Sequence, residues 1–422
     1  MKNIISKVSL LTLLVYSAAS QAIDIDDSAQ VHGFVSQGYV YSPENPYAGK
    51  NSLDGSFDFR EIGLNGSWEA TDKLRFAGQL LSRKKDEAAD GSILVDFLLA
   101  DYLAYSDSKS SFGVRIGRIK NPLGFYNAVR DIPSSRPGIN VPSSVYFDSF
   151  RDVVLATDGL SLYGSFALDT GDLNWNVYAG NREMSGMVME HYVLGKNVQG
   201  KFDNAEIKGL NLTYSLNTEQ PLTFGFSLLH VKAKMNNTKS PLVAQQEYGY
   251  ALFSGSNPTY ELSTNYANYV TGASVDSVLA LASVQYGYQN WLFTAEYLNV
   301  FNNIDVEVLG KNTSIKPVSE GFYLQAEWFA TRKIHALARY EELYLVDKNK
   351  MAADPNRPNN PYHSYSKGLT FGLKWLINPN LTLAGEVTSN EGNAWLPVFD
   401  GEENYTMKKY WNTYSMQLTY QF

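Results

Sequence analysis

The stretch Tyr410-Trp411-Asn412-Thr413-Tyr414-Ser415-Met416-Gln417-Leu418-Thr419-Tyr420-Gln421-Phe422 decides how this chain is read. Tyr410, Tyr414, Met416, Leu418, Tyr420 and Phe422 share one parity, and Trp411, Thr413, Ser415, Gln417, Thr419 and Gln421 share the other. Successive side chains of a strand point to opposite faces. One face is therefore aromatic and apolar, and the other mostly polar. A soluble protein rarely ends on such a strand. A transmembrane β-barrel needs strands of this kind, with apolar groups towards lipid, polar groups towards the lumen and rings at the interface.

The same alternation recurs along the chain. Ile62, Leu64 and Trp68 oppose Glu61, Asn65 and Ser67; Leu74 and Phe76 oppose Arg75; Phe112, Val114 and Ile116 oppose Arg115. Leu324, Ala326 and Trp328 oppose Gln325 and Glu327, Leu373 and Trp375 oppose Lys374, and Val387 opposes Glu386. Strands are predicted near 31–42, 56–69, 72–83, 92–105, 111–119, 158–167, 172–181, 203–217, 220–233, 273–289, 290–308, 317–331, 332–346, 365–378, 379–391 and 409–422. The fold class is all-β: a transmembrane antiparallel β-barrel of about 16 strands, an even number as single-chain barrels require. In 92–105, Asp101 shares parity with Val95, Phe97 and Leu99, which calls for a bulge.

The connections alternate in length. Short turns such as Leu168-Asp169-Thr170-Gly171 and Asn378-Pro379-Asn380 separate pairs of strands. Long loops rich in Asn, Ser, Pro and Gly fall at 42–55, 84–91, 120–157, 182–202, 234–272, 309–316, 347–364 and 392–408. Short inner turns and long outer loops are the barrel pattern.

Lys2 and Lys7, the apolar run Val8–Tyr16 and the small-residue site Ser20-Gln21-Ala22 read as a secretory signal peptide over 1–22, leaving 23–422 as one barrel domain. No later stretch offers the roughly 18 consecutive apolar residues of a spanning helix. Aromatic residues make up 14% of the chain while the charged share is 18%, which fits a wall that is oily on one face and polar on the other. The net charge of −8 leaves no basic surplus for nucleic acid. The cysteine count is zero, so disulfides, thiolate metal sites and cysteine nucleophiles are excluded together.

Across its exported length the chain resembles Gram-negative outer-membrane porins. Gly117-Arg118-Ile119-Lys120-Asn121-Pro122-Leu123-Gly124 and the return Phe150-Arg151-Asp152 … Gly159-x-x-Leu162-Tyr163-Gly164 are similar to the phosphate-selective porin group and its uncharacterised relatives. The resemblance implies an outer-membrane location in a Gram-negative cell, contact with lipid and lipopolysaccharide, a homotrimer, and a long third loop folded into the lumen. It also implies passive diffusion of small hydrophilic solutes. The phosphate-selective group carries a ladder of lumenal cations. Here Arg75, Arg115 and Lys374 are interspersed with Glu61, Glu296, Glu327 and Glu386, so the ladder is not repeated.

The candidate constriction residues are those inward-parity charges and the charges of loop 120–157: Lys120, Arg130, Asp131, Arg136, Asp148, Arg151 and Asp152. Opposed rows of cations and anions would set up a transverse field that orients dipolar solutes. Ion pairs that pin the loop to the wall are the alternative, above all for Arg130, Asp131, Arg151 and Asp152. Tyr126, Tyr146 and Phe147 either offer a greasy contact to a solute or pack the loop. The five histidines are scattered, with no His-Glu-x-x-His, and no Gly-x-Ser-x-Gly occurs, so neither a metal, a cofactor nor an enzyme is expected. A channel specific for anions, organic acids or sugars, and a non-channel receptor or adhesin barrel, remain alternatives to general diffusion.

Overall fold

The protein was analysed as a computed structural model, which describes residues 23–26, 28–85, 89–148, 151–184, 200–236, 238–263, 265–346, 362–396 and 407–422. Sixteen antiparallel strands follow one another: β1 (Ala29–Tyr41), β2 (Ser56–Thr71), β3 (Leu74–Lys85), β4 (Asp90–Ser106), β5 (Ser110–Lys120), β6 (Ala156–Leu168), β7 (Gly171–Glu183), β8 (Lys201–Leu216), β9 (Leu222–Asn236), β10 (Val270–Tyr288), β11 (Trp291–Val308), β12 (Val318–Phe329), β13 (Ile334–Tyr344), β14 (Tyr365–Asn378), β15 (Leu381–Gly392) and β16 (Tyr410–Gln421). Each pairs with the next, and β16 returns to β1 with Tyr414 opposite Tyr41 and Gln421 opposite Phe34. The sheet is a closed barrel, so none of its wall strands presents an open edge. All sixteen coincide with the predicted segments to within a few residues.

The parity reading holds around the ring. Leu64, Trp68, Phe76, Leu98, Ile116, Phe224, Phe293, Leu324, Phe371 and Met416 are exposed outside, whereas Ser36, Glu61, Gln79, Thr294, Gln325 and Gln417 are buried inside. Rings gather at the short-turn end: Trp68 stacks on Phe76 at 5.7 Å, and Trp291 on Trp328 at 5.8 Å. Such a girdle is where amphipathic rings settle at a membrane interface. The bulge in β4 lies at Asp96. Gln79 pairs with Phe97 but Leu80 with Val95, so Asp96 is the extra residue. It turns inward, 6% exposed, and brings Asp101 onto the inner face beyond it.

Two predicted loops are corrected. Segment 309–316 is not an open loop: Lys311–Ile315 folds back as a short strand on the end of β11, Val308 opposite Lys311. The turn between them uses positive φ at Leu309 and Gly310. Loop 234–272 carries two helices, α1 (Pro241–Phe253) and α2 (Pro258–Ser263). Ser240 caps α1 by accepting from the Val243 backbone N–H, and Pro241 occupies the first turn, where a missing N–H costs nothing. A further short strand, Ile23–Asp26, lies along β1. The predicted signal peptide, part of loop 84–91, and much of loops 182–202, 347–364 and 392–408 lie outside the described residues.

Polarity reverses at the long-loop ends of β8–β11. Inward Ile207, Leu229, Val231, Ala233, Val275 and Ile304 form an apolar cluster. Outward Lys208 and Glu206 pair with each other, and His230 meets Asp276 at 2.9 Å. β10 has 19 residues and β11 has 18, well beyond the roughly 9–11 that cross hydrocarbon. The excess length behaves as water-soluble β-structure, polar outside and oily within.

Candidate functional site

Segment 121–155, between β5 and β6, is bound to the inner wall on many sides. At its root, the Lys120 ammonium donates to Asp96 at 2.6 Å and to Asp131 at 2.5 Å, and Arg151 donates to the other oxygen of Asp131. Asn121 and Asn127 both donate to the Val154 carbonyl, at 3.0 and 2.9 Å, tying the outgoing and returning chain together.

Farther on, four wall glutamates on four strands catch the segment. Glu296 of β11 accepts from the Phe125 N–H at 2.9 Å, from the Tyr146 hydroxyl, and from wall hydroxyls of Ser283 (2.6 Å) and Tyr323 (2.8 Å). Glu386 of β15 accepts from the Ile139 N–H at 2.9 Å and from the Asn140 side-chain amide at 3.2 Å. Glu341 of β13 accepts from the Ser144 N–H at 2.9 Å. Glu61 of β2 pairs with Arg136, whose Nη1 lies 3.2 Å away, and also accepts from Gln417 at 3.0 Å. Carboxylates accept up to about four hydrogen bonds, so a single acid can satisfy several loop donors at once. From β14, Lys374 donates to the Arg136 carbonyl. From β13, Arg339 donates to the Asn140 carbonyl at 3.1 Å.

Asp148 is the third anchor. It accepts from Arg83 and from Arg130, each at 2.7 Å, and from Lys85 at 3.4 Å. Burial alone would raise this carboxyl, but Arg83, Lys85, Arg130 and Arg151 outweigh burial and hold it well below the usual carboxylate range. The same balance, set by Arg151 and Lys120, holds Asp131 low. Burial and Glu296 together push the Tyr146 hydroxyl well above its ordinary value, so it stays a donor.

Apolar contacts complete the seating. Leu123, Tyr126, Val145 and Tyr146 pack against Leu229, Leu281, Leu298 and Tyr323. Ile139 packs with Val40, Phe59 and Ala384. Two glycines permit the close approach. A Cβ on wall Gly321 would collide with the Ser144 carbonyl, and Gly124, at φ 60°, would meet Tyr146 and Glu296.

The predicted residues thus separate into groups. Glu61, Lys120, Asp131, Arg136, Asp148, Glu296, Lys374 and Glu386 belong to the contacts between segment and wall, while Arg130 and Arg151 pair with Asp148 and Asp131 inside the segment. Glu327 accepts from Gln325 at 3.0 Å. Arg115 lies apart, paired with Asp101 at 3.0 Å, and Arg75 is exposed near the short-turn end of β3. The Asp152 side chain lies outside the described residues. Arg130 pairs with Asp148 and Arg151 with Asp131, so cations and anions interleave. Tyr126 and Tyr146 are buried packing residues. Sequence reading passed over Asp96, Tyr323, Arg339 and Glu341, and it took Arg83 and Lys85 for part of an outward-facing charged tip, whereas both turn inward to Asp148. Inward parity was available for Arg83, Tyr323, Arg339 and Glu341; Lys85 lay beyond the predicted end of its strand, and the bulge at Asp96 breaks the alternation.

No protein-family profile and no curated protein matches the sequence. Solved structures do match in shape. An outer-membrane OmpT of Vibrio cholerae aligns at TM-score 0.55 with 12% identity, covering 95% of this chain and 100% of that one. An anion-selective porin from Comamonas acidovorans aligns at 0.52 with 11% identity over 94% and 99%. OprB of Pseudomonas putida, in its high-pH structure, aligns at 0.55 with 8% identity over 94% and 95%. At such identities the likeness is one of fold, and the fold is that of outer-membrane porins.

Proposed function

We propose that the protein is a porin: a passive diffusion channel for small hydrophilic solutes in the outer membrane of a Gram-negative cell. Segment 121–155 is its constriction, and the residues named above as loop anchors shape that constriction rather than carry chemistry. The observation that supports this most is a closed sixteen-strand ring, apolar outside, whose polar inner face receives a long segment between the fifth and sixth strands. Sixteen strands enclose more room than their own side chains fill, whereas eight-stranded barrels are packed solid. The long-loop end faces outwards, in contact with lipid and lipopolysaccharide, and the leader 1–22 directs export. The glutamates on the inner wall argue against an all-cation ladder of the phosphate-selective kind. A V. cholerae OmpT structure described as a trimer form, matching at TM-score 0.51, supports a homotrimer.

The deciding experiment is single-channel recording in a planar bilayer. Purified protein is expected to add discrete, ohmic steps in potassium chloride. A sealed barrel, whether receptor, adhesin or enzyme, would add none, and that outcome would refute the channel.

A further inference from the structure

One arginine on the inner wall is held differently from all the loop cations. Arg115 on β5 lies between Asp101 on β4 and Ser161 on β6 in the register of the sheet, and Arg75 on β3 lies on the far side of Asp101. The Arg115 Nε donates to one oxygen of Asp101 at 3.0 Å. The central carbon of the guanidinium lies over the Tyr163 ring, 3.9 Å from its centroid. The Tyr163 hydroxyl donates to the other oxygen of Asp101 at 2.5 Å. Gly113, the cross-strand partner of Tyr163, leaves the room this ring occupies, since a Cβ there would run into it.

These contacts hold the guanidinium from one side, and its bond to Asp101 runs through Nε. Neither Nη is hydrogen-bonded to the described residues, and the side chain is 32% exposed. A planar fork with two parallel free N–H groups matches a carboxylate bidentately. Because Asp101 and Tyr163 already hold it, little side-chain entropy is lost on binding. Arg75, which forms no ion pair among the described residues, offsets the repulsion from Asp101. Lys120, where segment 121–155 takes root, is five residues along the strand, about 16 Å at roughly 3.3 Å per residue. The fork is therefore separate from the interleaved charges of the loop.

We infer that Arg115, backed by Tyr163 and Asp101 and flanked by Arg75, is a carboxylate-binding station on the short-turn side of the constriction, so that small organic acids are solutes the channel recognises. This rests on the channel reading. The test uses the full-length protein in a planar bilayer, with potassium acetate as probe and potassium chloride as reference. Acetate current saturates with concentration in the native protein. Arg115→Gln and Arg115→Lys each raise the half-saturating acetate concentration about tenfold, the size of one lost charge-assisted hydrogen bond. Chloride conductance stays within about a factor of two, since the residue lies off the narrowest point. Tyr163→Phe, which keeps the cation and the ring but removes the tether, gives an intermediate rise. If Arg115→Lys leaves acetate half-saturation unchanged, the fork is not being read and the inference is wrong; an unchanged Arg115→Gln says the same. Failure of the native protein to conduct chloride would instead overturn the channel itself.

Discussion

Glu61 and Arg136 show how a single pair can govern the segment. Both are nearly fully buried, and among the described residues Glu61 is the one acid paired with Arg136. Removing one partner of a buried ion pair typically costs about 3–5 kcal/mol, because the other charge is left stranded. Arg136→Ala is expected to free the middle of the segment from β2 and to raise single-channel conductance. Glu61→Gln, which keeps an acceptor for Arg136, should raise it less. Gly321→Val tests the neighbouring contact: its side chain would displace Ser144, loosen the Glu341 hydrogen bond and shift conductance without altering any charge. The acids inside the segment answer differently. Asp131 and Asp148 are held below their unfolded values, so the stability they lend is present above about pH 4 and is lost only as pH falls through their lowered folded values. Conductance recorded from pH 7 down to pH 4 should therefore show no opening attributable to these two groups; a transition centred between pH 5 and 6 that survives in Asp148→Asn would have to arise elsewhere.

At the scale of elements, the strands were legible and the segment was not. Alternation of period two identifies a strand and tells which side chains face in, and it did so for Glu61, Arg115, Glu296, Lys374 and Glu386. It says nothing about height. Ile139 finds Glu386 across 247 residues because the ring closes at a particular stagger that no local pattern encodes, and Arg130 finds Asp148 eighteen residues away through the fold of the segment itself. Asp96 was hidden for a second reason, since a bulge places two successive residues on one side. The helix α1 had readable signals, Ser240 followed by Pro241, but it lies in a segment whose turn-rich composition masked them. Exposed Leu242, Tyr250 and Phe253 give it no continuous polar face. Replacing residues 241–253 with a short Gly/Ser linker should leave the wall intact, because the paired registers of β9–β11 do not pass through it. Far-ultraviolet circular dichroism and heat-modified migration in detergent would check this.

For the whole molecule, the decisive feature is where the ring is sealed. β16 meets β1 over Tyr414–Gln421, and Gly33 and Phe422 exchange backbone hydrogen bonds of 2.9 Å in both directions. The Phe422 ring sits in the space that the absent side chain of Gly33 leaves. Deleting Phe422, or installing Gly33→Leu, should lower the temperature at which the barrel opens in detergent. The two strands that must find each other have every other strand of the wall between them in sequence, so their pairing is a very distant closure. Such distant pairings are paid for early and rewarded late, so their formation is slow. Until they meet, β1 and β16 each offer a row of unsatisfied amides to any neighbour. The timescale of assembly, and the need for something to shelter those amides meanwhile, is thus written into the seam rather than into the pore.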